Sequence, residues 1–199
     1  MPTSLLLGDS SLTSTLTTFG VIALAELGDK SQLVCMTLAA RYHARPVAIG
    51  AIAAFALLNA LAVLFGAAVA AWLPPWLVTL LVAVLFALFG IAALRHQEED
   101  ETDETQAPPR YGIVATTFAL IFVAEFGDKT QLAVAGLGST AAAPWVWLGA
   151  TLALSCTSLL GIYAGRHLLQ RLPMGWLHRA SGMLFLLLAA AALWQLLQA

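Results

Sequence analysis

Glu26-Leu27-Gly28-Asp29-Lys30-Ser31-Gln32-Leu33 returns, at an offset of 99, as Glu125-Phe126-Gly127-Asp128-Lys129-Thr130-Gln131-Leu132. Each block offers two carboxylates, an ammonium, a hydroxyl and a carboxamide, and each is set in strongly apolar sequence. A charged side chain at the centre of a bilayer costs ~2.5–3.5 kcal/mol even on the mildest scales, so intramembrane charges mark functional sites. Brought together, four carboxylates (Glu26, Asp29, Glu125, Asp128) and two ammonium groups (Lys30, Lys129) carry a formal charge of −2. One divalent cation would neutralise that. The further ligands within reach are also oxygens: the amides of Gln32 and Gln131 and the hydroxyls of Ser31 and Thr130. All-oxygen sites suit hard cations such as Ca²⁺, Mn²⁺ or Mg²⁺. The four histidines, His43, His96, His167 and His178, fall in or near the predicted loops. Cys35 and Cys156 are not at repeat-equivalent positions and read as packing residues, not as a disulfide. A zinc- or copper-selective site is therefore not expected.

On an unbroken helix, residues three apart share a face. Glu26 would then project with Asp29, Glu125 with Asp128, and Gln32 and Gln131 would extend each polar stripe. Gly28 and Gly127 permit either close helix approach or a local break. A break would free backbone carbonyls as extra ligands, which is tolerable only beside a cavity. Lys30 stands four residues after Glu26, the favourable order for a helical ion pair. Both lysines read as charge partners that limit repulsion among the acids, or else as counter-ions that move during a cycle. Carboxylates crowded in a medium of low dielectric constant hold protons when no cation is present, and a cation displaces those protons when it binds. Exclusive occupancy by metal or protons, combined with alternating access, makes a cation/proton antiporter. The expected role is transport, with no enzyme activity and no resident cofactor.

The elements that must position these groups are membrane helices. The chain has 199 residues, 60% hydrophobic and only 10% charged. Apolar spans are predicted at 15–41, 46–72, 76–95, 111–137, 145–166 and 176–197, each near the ~20 residues that cross a hydrocarbon core. Pro46, Pro74-Pro75, Pro108-Pro109, Pro144 and Pro173 punctuate them. Trp72, Trp76, Trp145, Trp147, Trp176 and Trp194 sit near span ends, as an interfacial aromatic belt would. With six spans, Arg41, Arg45, Arg95, Arg110, Arg166, Arg171 and Arg179 all face one side, and no Lys or Arg faces the other. The positive-inside rule makes that side cytoplasmic and puts both termini outside. The expected partner is the lipid bilayer, with no nucleic acid. Residues 96–110 include Glu98, Glu99, Asp100, Glu101, Asp103 and Glu104. They read as a solvated cytoplasmic linker or, alternatively, a cation-attracting segment.

The offset of 99 extends well beyond the motif. Gly50 matches Gly149, Ala51 matches Ala150, Gly66 matches Gly165 and Pro74 matches Pro173. The predicted fold class is therefore an all-α integral membrane protein of six transmembrane helices, arranged as two inverted-topology three-helix repeats. An N-terminal extracytoplasmic segment occupies 1–14, repeat 1 occupies 15–95, the acidic loop 96–110, and repeat 2 occupies 111–199. Three helices per repeat is an odd number, so the repeats cross in opposite senses, and sites in such transporters lie near the midplane between the repeats. Asn59 aligns with Ser158, and Ser155, Thr157 and Ser158 make the fifth span polar. These groups line a pathway or hold helices together.

The paired pattern E-x-G-D-[KR]-[ST], within a duplicated six-helix chain with an acidic central loop, resembles the calcium/manganese–proton antiporter family once called uncharacterised protein family 0016. The likeness runs through nearly all of the chain after residue 14, and both copies match every specified position. It implies that Glu26, Asp29, Glu125 and Asp128 bind the cation, with Lys30, Ser31, Lys129 and Thr130 completing the motif. Short length and the absence of a targeting segment fit a multi-pass plasma-membrane member in a prokaryote. Such a protein would export Mn²⁺ first, Ca²⁺ second, in exchange for protons. The competing readings are a passive divalent-cation channel and a small-solute exporter, for instance of amino acids. A thiol–disulfide electron carrier would need one cysteine per repeat at matched positions, and Cys35 faces Val134 in the register while Cys156 faces Leu57.

Overall fold

The computed structural model describes residues 3–95, 112–169 and 174–198, and the side chains within them except those of 3–10, 30, 93 and 164–178. The acidic segment 96–110 and Arg171 lie outside these residues, as do the side chains of Lys30, Arg166, His167, Trp176 and His178. Eight helices are described: α1 (Thr3–Glu26), α2 (Lys30–Arg41), α3 (Ala44–Trp72), α4 (Pro75–Arg95), α5 (Ile113–Glu125), α6 (Lys129–Thr140), α7 (Ala143–Leu169) and α8 (Met174–Gln198). The described elements are all helices, as expected, and the composition is that of an α-helical membrane protein. The α3, α4, α7 and α8 helices are each long and apolar enough to cross a bilayer. Leu64, Phe65, Val123 and Leu187 are among many large apolar side chains left exposed on the outer surface. A soluble monomer does not tolerate so much exposed apolar area.

The predicted first span, 15–41, is not one helix. It divides into α1 and α2, which meet at an angle of 72°. The fourth, 111–137, divides in the same way into α5 and α6. The α1–α2 pair together is apolar enough to count as a fifth crossing, whereas α5 alone has 13 residues. Both breaks have one cause. Gly28 has φ 88° and Gly127 φ 79°, a left-handed conformation that glycine adopts without steric cost. Asp29 and Asp128 then take extended backbone as the N-caps of α2 and α6. The α1 helix begins at Thr3, ahead of the span predicted from residue 15.

The repeats hold each other more than they hold themselves. The α1 helix packs on α7, α5 on α3, α6 on α3 and α2 on α7. Gly50 of α3 meets α5 so closely that a Cβ there would lie 2.5 Å from the Val114 carbonyl oxygen. Gly149 of α7 meets α1 in the same way, 2.5 Å from the oxygen of Thr15. Each residue of the second contact is the repeat-mate of one in the first. On the line between the repeats, Phe86 of α4 packs against its own mate, Phe185 of α8, with ring centroids 5.9 Å apart. These contacts recur when each residue is exchanged for its mate 99 positions away. Because the blocking atoms are backbone, neither glycine can take a side chain without a helix shift. Gly50→Ala and Gly149→Ala should therefore each lower the thermal unfolding midpoint in detergent, by comparable amounts. The expected cost is ~1–3 kcal/mol, the usual range for overpacking.

Candidate metal centre

The two breaks face each other, and three of the four sequence-predicted acids meet there. Carboxylate oxygens of Glu26, Asp29 and Asp128 all lie within 4.8 Å of one another. Two oxygens on opposite sides of a Ca²⁺ held at 2.3–2.6 Å would be at most about 5 Å apart. The cluster is therefore already close to coordinating size. It draws one acid from the end of α1 and one from the start of each of α2 and α6. Glu26 is completely buried as a side chain, and Asp29 is 19% exposed. Glu125 is also buried, but it is not one of the three.

Lys129 crosses from the second repeat to the first. Its Nζ stands 3.2 Å from Asp29 Oδ2 and 4.0 Å from Glu26 Oε1. The Thr130 hydroxyl donates a hydrogen bond to Glu26 Oε1. Even so, Glu26 Oε2 and Asp128 Oδ2 are buried and accept no hydrogen bond among the described residues. Buried carboxylate oxygens in that condition are unusual in a finished core, and they are suited to a cation. The expected one-helix arrangement does not hold here. Glu26 closes α1 and Lys30 opens α2, so the four-residue helical pair between them has no helix to sit on. The charge pairing that is described runs between repeats instead.

The glutamines do something the sequence did not suggest. Gln32 Oε1 accepts the Gly28 N–H at 2.7 Å, and its Nε2 donates to the Thr157 carbonyl at 2.8 Å. Gln131 repeats this with Gly127 N–H at 3.0 Å and the Leu58 carbonyl at 3.2 Å. Thr157 and Leu58 are themselves repeat-mates. Each amide thus ties a break to the long helix of the other repeat, and both of its ends are engaged. Ser31 is buried, as are Ser155 and Ser158 of α7. Asn59 is buried in α3 and donates to Thr151 Oγ1 of α7 at 3.2 Å, which is a helix–helix contact. Thr151 was not singled out in the sequence; its mate is Ile52, so the offset gave no signal. Trp147 is not wholly interfacial, because its Nε1 donates to the Ala56 carbonyl of α3, whereas Trp72, Trp76, Trp145 and Trp194 are exposed as a belt requires. Cys35 and Cys156 are free thiols.

A family model described as the divalent cation/proton antiporter GDT1 matches residues 14–101 and 113–199, one segment over each repeat. The chain belongs to the GDT1 family. A GDT1-like protein of Synechocystis sp. is 32% identical over 193 residues, covering 87% of this chain and 93% of its own. A Vibrio cholerae protein provisionally named a manganese exporter is 34% identical over 173 residues, covering 85% of each chain. Protein PAM71 of Arabidopsis thaliana, a chloroplast protein, is 30% identical over 201 residues, covering 86% of this chain and 54% of its own length. No solved structure matches. Membership of GDT1 makes this chain a transporter of the divalent cation/proton antiporter class and agrees with the resemblance drawn from the motif.

Proposed function

We propose that this GDT1 member exports a divalent cation from the cytoplasm in exchange for protons, Mn²⁺ in preference to Ca²⁺. The observation that carries the proposal is the cluster of Glu26, Asp29 and Asp128, three carboxylates from both repeats within 4.8 Å inside an apolar bundle. In this reading α1–α2, α3 and α4 form one three-span repeat and α5–α6, α7 and α8 the other. They have inverted topology, and the two-fold axis lies in the membrane plane. The seven arginines face the cytoplasm, both termini lie outside, and the membrane is the cell membrane. Glu125 is the fourth acid of the site. The oxygen-only donor set favours hard cations, and the name of the Vibrio relative supports manganese as the cargo.

The acids run the exchange by competition. A bound cation needs the oxygens in their ionised form, and protons need the same oxygens. As pH falls, protons fill the cluster and the apparent affinity for the cation falls. As pH rises, the affinity recovers. Because both ligands are held between the repeats, movement of one repeat against the other presents either cargo to the opposite side.

The test is flux in proteoliposomes with Mn²⁺, Ca²⁺ and Mg²⁺ under an imposed pH gradient. Mn²⁺ should move uphill when protons run down their gradient in the opposite direction, and each Mn²⁺ should carry a matching proton signal. Flux that ignores the pH gradient and only follows the metal gradient would establish a channel. Inhibition of Mn²⁺ flux by amino acids would instead revive the small-solute exporter.

A further inference from the structure

We propose that Lys129 is a tethered cation that occupies the carboxylate cluster in place of cargo, so that only a divalent ion displaces it efficiently. The inference rests on the metal-site reading above and deepens it. The Lys129 ammonium lies 3.2 Å from Asp29 and 4.0 Å from Glu26, two of the three acids of the cluster. A metal ion held by those same acids would meet a positive charge at close range. The two cations cannot share the site, so loading requires the ammonium to leave.

The two partners differ in enclosure. Lys129 is 36% exposed as a side chain, whereas Glu26 is fully buried. The lysine is the less enclosed member of the pair, and the carboxylate of Glu26 is held in place. An ordinary structural pair would satisfy its acids. Here Glu26 Oε2 and Asp128 Oδ2 remain buried without a hydrogen bond among the described residues, even with Lys129 and Thr130 in place. The pairing also ignores chain proximity, since Lys129 adjoins Asp128 yet stands against Asp29 and Glu26 of the other repeat.

Valence selection follows from charge and entropy. A dissolved K⁺ or Na⁺ that replaces the ammonium exchanges one positive charge for one, and it must surrender translational freedom that the tethered group never had. A divalent ion brings twice the charge into a medium where attraction is strong. The same competition keeps divalent binding weak enough for release. Lys129 is then a specificity-determining residue, distinct from the acids that hold the cargo.

Lys129→Met, in the full chain reconstituted in nanodiscs, tests this by equilibrium Mn²⁺ binding and by flux. Binding should tighten by about tenfold, equivalent to ~1.4 kcal/mol, maximal flux should fall, and K⁺ should begin to compete. Lys129→Arg should stay close to the parent in affinity. A merely structural lysine predicts weaker binding when it is lost. Folding is controlled by a second variant, Lys129→Cys in a Cys35→Ala, Cys156→Ala background, measured before and after modification with an aminoethyl methanethiosulfonate. Restoring an ammonium on the same folded protein should weaken Mn²⁺ binding again, while a neutral ethyl reagent should not. Unchanged or weaker binding in Lys129→Met, or indifference to the aminoethyl group, overturns the proposal. Glu26→Gln and Asp128→Asn in the same assay separate the two levels. If they lose Mn²⁺ while Lys129→Met is unaltered, only the tethered-cation inference fails. If they bind like the parent, the site itself is wrong.

Discussion

Glu26→Gln is expected to eliminate saturable Mn²⁺ binding and coupled transport, whereas Glu125→Gln should eliminate transport but retain most of the binding. The two residues are repeat-mates of the same type and both are buried. Only Glu26 contributes an oxygen to the compact group with Asp29 and Asp128. Replacing an outer-shell partner of a metal ligand costs ~10–100-fold in affinity, so replacing a direct carboxylate ligand should cost at least that. The Glu26→Gln change would also put an amide where the Thr130 hydroxyl and the Lys129 ammonium now meet a carboxyl oxygen. Asp128→Asn should resemble Glu26→Gln, because Asp128 Oδ2 is likewise buried and without a hydrogen bond among the described residues. Glu125 differs by position alone. If the opposite-facing state arises when the two repeats exchange conformations, Glu125 takes the place Glu26 holds here. Its neutralisation then spares the state described and blocks the other. Calorimetric Mn²⁺ titration, paired with proteoliposome flux on the same samples, separates the two variants. Equal loss of binding in both would show that all four acids act together in a single state.

That asymmetry could not have been read from the sequence. The two motifs are near-identical, and a sequence repeat can only predict a symmetric site. Among the described side chains the arrangement gathers both aspartates but only one of the two glutamates, with Lys129 beside them, so the two glutamates are not equivalent. Other features were legible. The acids, the duplication and the apolar setting all follow from residue type and offset, and the break at Gly28 and Gly127 was one of two roles open to those glycines. What decided for the break is the positive φ at each, which glycine allows but does not require. The helical spacing expected between Glu26 and Lys30 lapses for the same reason, since α1 stops at Glu26 and α2 starts at Lys30. Thr151 was invisible because its contact with Asn59 joins residues 92 apart in the chain and has no counterpart at Ile52. The acidic segment 96–110, a prominent sequence feature, lies outside the described residues.

Gln32→Leu should be the most damaging uncharged substitution in the protein, and it should cost more than Gln131→Leu. Gln32 is buried, and both of its hydrogen bonds are short, at 2.7 and 2.8 Å. Leucine is similar in volume but would leave the Gly28 N–H and the Thr157 carbonyl without their amide partner. Stranding the part-buried Gly28 N–H costs ~1–3 kcal/mol, and the Thr157 carbonyl, inside α7, loses its second acceptor bond, against a marginal fold's stability of the order of 5–15 kcal/mol. The damage also falls at the break that presents Glu26 and Asp29, and displacing a ligand loop loosens the site even where the protein survives. Gln131 makes the same two bonds at 3.0 and 3.2 Å, and its Gly127 partner is exposed. Water can replace part of what is lost there. Thermal unfolding in detergent should therefore place Gln32→Leu below Gln131→Leu, with both below the parent. Mn²⁺ affinity should follow the same order. Gln32→Glu is the sharper control. It keeps the acceptor for Gly28 but has no N–H for Thr157, so it should retain the local turn while losing the tie between repeats. If Gln32→Glu matched the parent in stability and flux, the link from the break to α7 would have no part in holding the site. If it fell with Gln32→Leu, the cross-repeat bond would be the one that matters. The two repeats would then be coupled through the amides as well as through the acids and Lys129 at the two breaks.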